Sequence, residues 1–97
     1  MPSIELHPDI YHEVSEAYRW YESKTTGLGE DFLNELESAF ALIVELPDTW
    51  PVLSNSFRRY LLKRFPYGII YKINKDQIFI VAVMHLSREP YYWRNRA

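Results

Sequence analysis

The chain predicts an α+β domain, in which a short N-terminal strand precedes a helical hairpin packed on an antiparallel sheet of about four strands. Three observations carry this. The first half holds two stretches of helical periodicity separated by a break rich in glycine and threonine. The second half holds β-patterned runs, two of them joined by Asn74-Lys75-Asp76. With 97 residues and no cysteine, the chain supports one domain, 1–97, with a single modest core and no disulfide frame.

Taken in order, Ser3 to Leu6 alternates, with Ile4 and Leu6 on one side, and reads as a strand closed by His7-Pro8. Pro8 suits the first helical position and Asp9 the positive end of the helix dipole, so the first helix is expected over about Pro8 to Ser23. Its stripe is Ile10, Val14, Ala17 and Tyr21, widened by Tyr11 and Tyr18, and Trp20 lies off it. Lys24 to Gly29 interrupts the pattern as the turn of an antiparallel helix pair. Glu30 and Asp31 open a second helix whose stripe, Phe32, Leu36, Ala39, Phe40 and Ile43, runs to about Glu45 before Pro47 stops it.

Asp48 to Ser56, with Pro51, reads as a loop. Phe57 to Arg64 is expected as a strand, Tyr67 to Ile73 as the next, and Gln77 to Met84 as its hairpin return. That return is apolar on both faces, with Ile78, Ile80, Ala82 and Met84 on one and Phe79, Val81 and Val83 on the other, so it should be central and covered twice. Two helices cover one face. The second is left either to the aromatic tail Tyr91-Tyr92-Trp93 or to a partner chain.

The net charge of −2 conceals an asymmetry. Residues 1–56 carry two cations against eleven acids, net −9, and residues 57–97 carry nine cations against two acids, net +7. The halves can attract each other within the fold or present opposite faces to partners. His7, His12 and His85 are too scattered to suggest a zinc site, and no metal or cofactor is expected. No leader pattern opens the chain, and its longest wholly apolar run, Ile78 to Met84, is too short to span a bilayer. A soluble cytoplasmic protein is expected. From Arg64 onward, strand scaffold passes into His85, Arg88, Tyr91, Tyr92, Trp93, Arg94 and Arg96, a set suited to binding or cleaving something anionic.

The order and spacing of several pieces resemble the ParE/RelE superfamily of bacterial toxins from type II toxin–antitoxin, or plasmid stabilisation, modules. The pieces are Trp20-Tyr21, Gly27-Leu28-Gly29 with Phe32-Leu33, Pro47, Arg58-Arg59, Arg64-Phe65-Pro66-Tyr67 with Ile70-Tyr71, and His85 with Arg88, Pro90 and Trp93. The resemblance covers nearly the whole chain. It implies the fold given above, a toxin that arrests growth and a cognate antitoxin that neutralises it. A homodimer, or a heterotetramer with the antitoxin, is compatible with it. Antitoxin contacts are expected at Trp20, Phe79, Val81 and Val83.

The superfamily divides by target. RelE-like members are metal-independent, ribosome-dependent endoribonucleases that cut mRNA, and in that branch His85 would shuttle a proton, Arg64 and Arg88 would hold the phosphate, and Tyr91 or Tyr92 would stack or donate a proton. ParE-like members act on DNA gyrase by binding. Where RelE-like nucleases carry arginines, this chain has Gly68 after Tyr67 and Leu86 at the last strand, so the resemblance favours the ParE-like branch. Target contacts are then expected from Arg58, Arg59, Lys63, Trp93, Arg94 and Arg96. An inactive relative that keeps only the antitoxin grip is a third reading, because fold does not fix function. Taken without the resemblance, His85 is a lone hydrogen-bonding group at a strand end.

Overall fold

Two acidic helices lie across one face of a five-stranded mixed sheet, and the C-terminal tail closes the other face. The computed structural model describes residues 3–96. The order is β1 (Ser3–Leu6), α1 (Ile10–Lys24), α2 (Leu28–Glu45), β2 (Val52–Ser54), β3 (Phe57–Leu61), β4 (Tyr67–Asn74) and β5 (Gln77–His85), ending in a 3₁₀ turn at Arg94–Arg96. The strands lie in the order β1-β5-β4-β3-β2. β1 runs parallel to β5, with Leu6 opposite Ile80, and the other pairs are antiparallel. The sheet is therefore mixed. Its extra strand, β2, lies in the expected 48–56 loop and is too short, at three residues, to leave a period.

Local chemistry sets the element ends. α1 begins at Ile10, after a turn in which the Ile10 N–H donates to the His7 carbonyl and the Asp9 N–H to His7 Nδ1. α2 begins at Leu28, two residues earlier than expected, because the Glu22 carboxylate at the end of α1 accepts the Gly27 and Gly29 N–H groups at 2.9 and 3.0 Å. Glycine is required at 29, since a Cβ there would stand 2.8 Å from the Tyr18 ring. β3 stops at Leu61 rather than Arg64 because Glu35 of α2 takes the Lys63 and Arg64 N–H groups.

The helix-side core joins Ile10, Ala17, Phe32, Leu36, Ala39 and Ile43 to Tyr60, Ile69, Tyr71, Ile78, Ile80 and Val83. An aromatic cluster of Tyr21, Phe32, Phe65 and Tyr67, with ring centroids 4.8 to 6.2 Å apart, fills the end beside the helical turn. On the opposite face Phe57, Ile70, Val81, Ala82 and Met84 pack under Trp93, which is 1 % exposed. The tail, rather than a partner chain, completes this core.

The expected alternation of β5 fails at one point. Ile70 pairs with Ala82 but Tyr71 pairs with Ile80, so the strand carries a bulge at Val81. Ile78 and Ile80 face the helices before it. Val83 faces them after it, while Ala82 and Met84 turn to the tail side. A one-residue slip reverses every side chain that follows, which brings His85 to the helix side.

β1 ends at Leu6, and beyond that point α1 and the tail occupy the outer edge of β5. Glu13 Oε1 accepts the Val83 N–H at 3.0 Å, and Oε2 accepts the Tyr92 hydroxyl at 2.6 Å and Arg96 Nη1 at 3.0 Å. Arg96 also donates to the Val81 carbonyl at 3.1 Å and pairs with Asp9 at 3.5 Å. The Glu13 side chain is 8 % exposed and that of Arg96 is 16 % exposed.

Burial, reinforced by the hydrogen bond to Glu13, raises the Tyr92 phenol well above its ordinary range, and burial pushes Tyr71 up to about 12. Both folded values exceed the unfolded phenol value of 10, so the unfolded chain gives up these protons first. The stability they contribute is whole below pH 10 and is lost as the pH rises through 10 toward 12. Urea midpoints are expected to fall steeply over that window, and Tyr92→Phe to make the fall shallower. An unchanged slope in Tyr92→Phe would contradict the assignment.

Candidate functional site

A cleft of about 670 Å³ opens between α1 and the C-terminal end of β5. Helical spacing brings His12, Glu13, Glu16 and Trp20 of α1 along one wall, with Asp9 just before the helix. The other wall is Tyr67, Val83 and His85 of the sheet, with Arg88 and Arg96 from the tail.

His85 sits edge-on to Tyr67, with centroids 5.1 Å apart. Its Nδ1 accepts the Ser87 N–H at 3.0 Å and lies 2.7 Å from the Ser87 hydroxyl. An acceptor at Nδ1 assigns the ring proton to Nε2, so this tautomer offers the cleft a donor rather than a general base. The Arg88 guanidinium lies 4.1 Å over the Tyr92 ring and has no carboxylate partner among the described residues. Trp20 is 59 % exposed, with Lys24 Nζ 4.0 Å over its ring. The His12 and Glu16 pair, 2.6 Å apart, is solvent-exposed. Burial, aided by the charges of Tyr21 and Glu16 and opposed by Arg88, raises the Tyr67 phenol.

This cleft gathers only part of the expected catalytic set. His85 and Arg88 meet there. Tyr92 underlies Arg88, but its hydroxyl proton is committed to Glu13, and its raised pKa makes it a weaker acid than a free phenol. Arg64 lines a separate groove with Lys63 and Glu35 and pairs with Asp31 at 3.3 Å.

The expected binding residues also divide. Arg58 is drawn inward by the Trp50 carbonyl at 2.6 Å and by Asp48, so it braces the loop before β2. Arg96 is consumed by Asp9 and Glu13, and Trp93 is core; neither presents a surface to a target. Arg59 lies in the middle of β3 and is half-buried, Lys63 lies just past its end and is exposed, and Arg94 is exposed in the closing turn. Of the expected antitoxin contacts, Trp20 is open, Phe79 is half-buried, and Val81 and Val83 are sealed beneath the tail and helices.

Sequence reasoning missed a wider feature on the opposite side of α1. An apolar groove of about 900 Å³ runs between β1 and the helical hairpin, lined by Leu6, Ile10, Tyr11, Val14, Leu33 and Phe40 among others. Tyr11 is 82 % exposed. The signal was the breadth of the α1 stripe, which extends past the core to Tyr11 and Tyr18. Beside the groove, the outer edge of β1 pairs with no strand among the described residues, and Ile4 and Leu6 are exposed.

Among the described residues, no group of three or more His, Cys, Asp or Glu side chains could hold a metal ion, and no helix is long and apolar enough to cross a membrane.

Residues 4–90 match the family described as the ParE toxin of the type II toxin–antitoxin system parDE. The fold is similar to a solved chain of the chromosomal ParDE TA system from P. aeruginosa, with a TM-score of 0.66 and 15% identity, over 88% of this chain and 96% of that one. At that identity the likeness is one of fold. No curated protein matches the chain. The family match spans both helices, the whole sheet and the His85 to Arg88 turn, and on that ground the chain belongs to the ParE toxin family of parDE-type toxin–antitoxin systems.

Proposed function

We propose that this toxin arrests growth in the bacterial cytoplasm by binding DNA gyrase, and not by cutting mRNA. The observation that carries this reading is the dispersal of the general acid–base set. Cleavage at an RNA 2′-hydroxyl needs a base, an acid and fixed cations converging on one phosphate. Here His85 offers a donor tautomer, Tyr92 gives its proton to Glu13, and Arg64 sits in another groove paired to Asp31. What remains around the cleft and tail is Trp20, Arg88 and Arg94, an aromatic and cationic surface suited to docking.

The test is induction of the toxin in a bacterium lacking its antitoxin, followed within minutes by mapping of mRNA 5′ ends and of gyrase-linked DNA breaks. Trapped gyrase–DNA complexes with intact mRNA are expected, and Arg64→Ala should arrest growth as the parent does. New mRNA ends at ribosomal positions ahead of any DNA damage, with toxicity lost in Arg64→Ala, would reverse the reading. Continued growth at full expression would favour an inactive antitoxin-binding relative.

Membership in a toxin–antitoxin family supplies the partner, an antitoxin. Its seat, in this reading, is the apolar groove between β1 and the helical hairpin. An amphipathic segment with apolar residues at helical spacing would fill it, and the unpaired edge of β1 lies open alongside. Tyr11 is exposed enough that Tyr11→Asp should leave folding intact while weakening antitoxin binding by about 30-fold, the loss expected of an aromatic anchor. Titration of the purified toxin with its antitoxin checks this, and unchanged affinity would move the seat elsewhere.

A further inference from the structure

The fold sorts charge between its two layers. On the helix side, three acids lie in α1 and five in α2, against Arg19 and Lys24. On the tail side stand Arg59 and Lys72 of the sheet with Arg88 and Arg94 of the tail, and none of the four enters an ion pair among the described residues. The acids nearest them are Glu5, opposite Phe79 on the outer strand, and Glu89 beside Arg88 in the chain.

Two of these cations line one cleft, of about 130 Å³, walled by Leu53, Met84, Leu86, Pro90 and Tyr91. They are Arg59 and Arg88. No carboxylate lines it, in contrast to the clefts that hold His85 and Arg64. Arg59 is delivered by β3, opposite Ile70, and its Cγ and Cδ pass 3.4 Å from where a Cβ on Gly68 would stand, so the stem lies across the glycine. Arg88 stands on the ridge between this cleft and that of His85, its guanidinium 4.1 Å over the Tyr92 ring. Glu13 holds that ring by its hydroxyl, so the platform is fixed. Contact with a ring occupies the face of a guanidinium and leaves the N–H groups at its edge free to donate.

Lys72 continues the charge beyond the cleft. It pairs with Phe57, two residues before Arg59 on β3, and is therefore a diagonal neighbour of Arg59 on the same face, with Nζ 5.6 Å over the Phe57 ring. Two guanidinium groups in one apolar-walled cleft repel each other unless an anion accepts from both. A phosphate group does so, because each planar fork matches a pair of its oxygens. A third cation alongside extends the fit from one phosphate to a chain of them.

We propose that the tail-side face binds the phosphodiester backbone of a nucleic acid, with one phosphate seated between Arg59 and Arg88 and a neighbouring one met by Lys72. Contacts of this kind position the strand without reading its bases, so binding is independent of sequence. It is tested without gyrase and stands or falls separately from the gyrase reading.

The experiment is fluorescence anisotropy of a labelled duplex DNA, and of a single-stranded RNA of the same sequence, titrated with the purified full chain over a salt series. Binding of at least one is expected, and the tighter of the two identifies the source of the backbone. Log K should fall against log salt with a slope of about −2.7 on duplex DNA or about −2.1 on single-stranded RNA, the values for three phosphate contacts. Arg59→Met, which keeps the stem, should make the slope shallower by about 0.9 or 0.7 respectively, and Arg59→Lys should keep it. Arg64→Met removes the same charge from the other groove and should bind as the parent does. The proposal is overturned if neither nucleic acid binds at low salt, or if Arg64→Met loses as much as Arg59→Met, which would make the effect one of net charge. It is also overturned if oligoglutamate of equal charge displaces the label as well as unlabelled nucleic acid does, which would make the occupant an acidic peptide.

Discussion

One carboxylate, that of Glu13, decides how the C-terminal third of this protein is arranged. A strand that loses its neighbour halfway along leaves bare N–H and C=O groups, a liability both energetically and as a template for wrong pairing. β5 loses β1 after Ile80. Glu13 then takes the Val83 N–H and Arg96 takes the Val81 carbonyl, so two side chains replace a missing strand. Because the same carboxylate also accepts from Tyr92 and Arg96, satisfying the edge and anchoring the tail are one event. Charge-assisted hydrogen bonds of this kind contribute about 1.5 to 3 kcal/mol each, and a partner left alone at low exposure costs more.

The rest of the site geometry follows from that anchor. With Tyr92 and Arg96 pinned, Trp93 lies over Phe57, Ile70 and Met84 and closes the second core. The bulged residue Val81 carries one of the two backbone groups that the clasp satisfies, and the bulge turns Val83 and His85 toward α1. Tail and bulge together make the cleft around His85 on one side of the sheet and the small cleft beside Trp93 on the other. Part of the charge asymmetry of the sequence is taken up within the fold. Arg58 with Asp48, Arg64 with Asp31, and Arg96 with Asp9 and Glu13 all join the basic half to the acidic one. Arg59, Lys72, Arg88 and Arg94 are among the cations of the second half that enter no ion pair among the described residues.

Elements whose side chains report a period were legible in the sequence. β1 lies at Ser3–Leu6 as expected, the helical stripes of α1 and α2 are the buried ones, and the Asn74 to Asp76 turn joins β4 to β5 with Lys75 at φ 56. Features made by single residues were not legible. A bulge inside a run that is apolar on both faces changes no periodicity, so the phase of Ala82, Val83 and Met84 was misread. The end of β3 depends on Glu35, distant in sequence, and nothing local marks it. Arg96 looked like surface for the same reason, and Trp93 was read both as a target contact and as part of a tail covering the sheet, since only the three-dimensional position of Glu13 makes the two interior.

Beyond Ile80 a side chain, and no strand, protects the outer edge of β5. Amide hydrogen exchange at Val83 tests it most directly, in the parent and in Glu13→Ala. The parent Val83 N–H should exchange as slowly as its neighbours in the β4 and β5 ladder, and Glu13→Ala should release it selectively while amides such as Ile69 stay protected. Rapid exchange of Val83 in the parent, or undiminished protection in Glu13→Ala, would contradict the account.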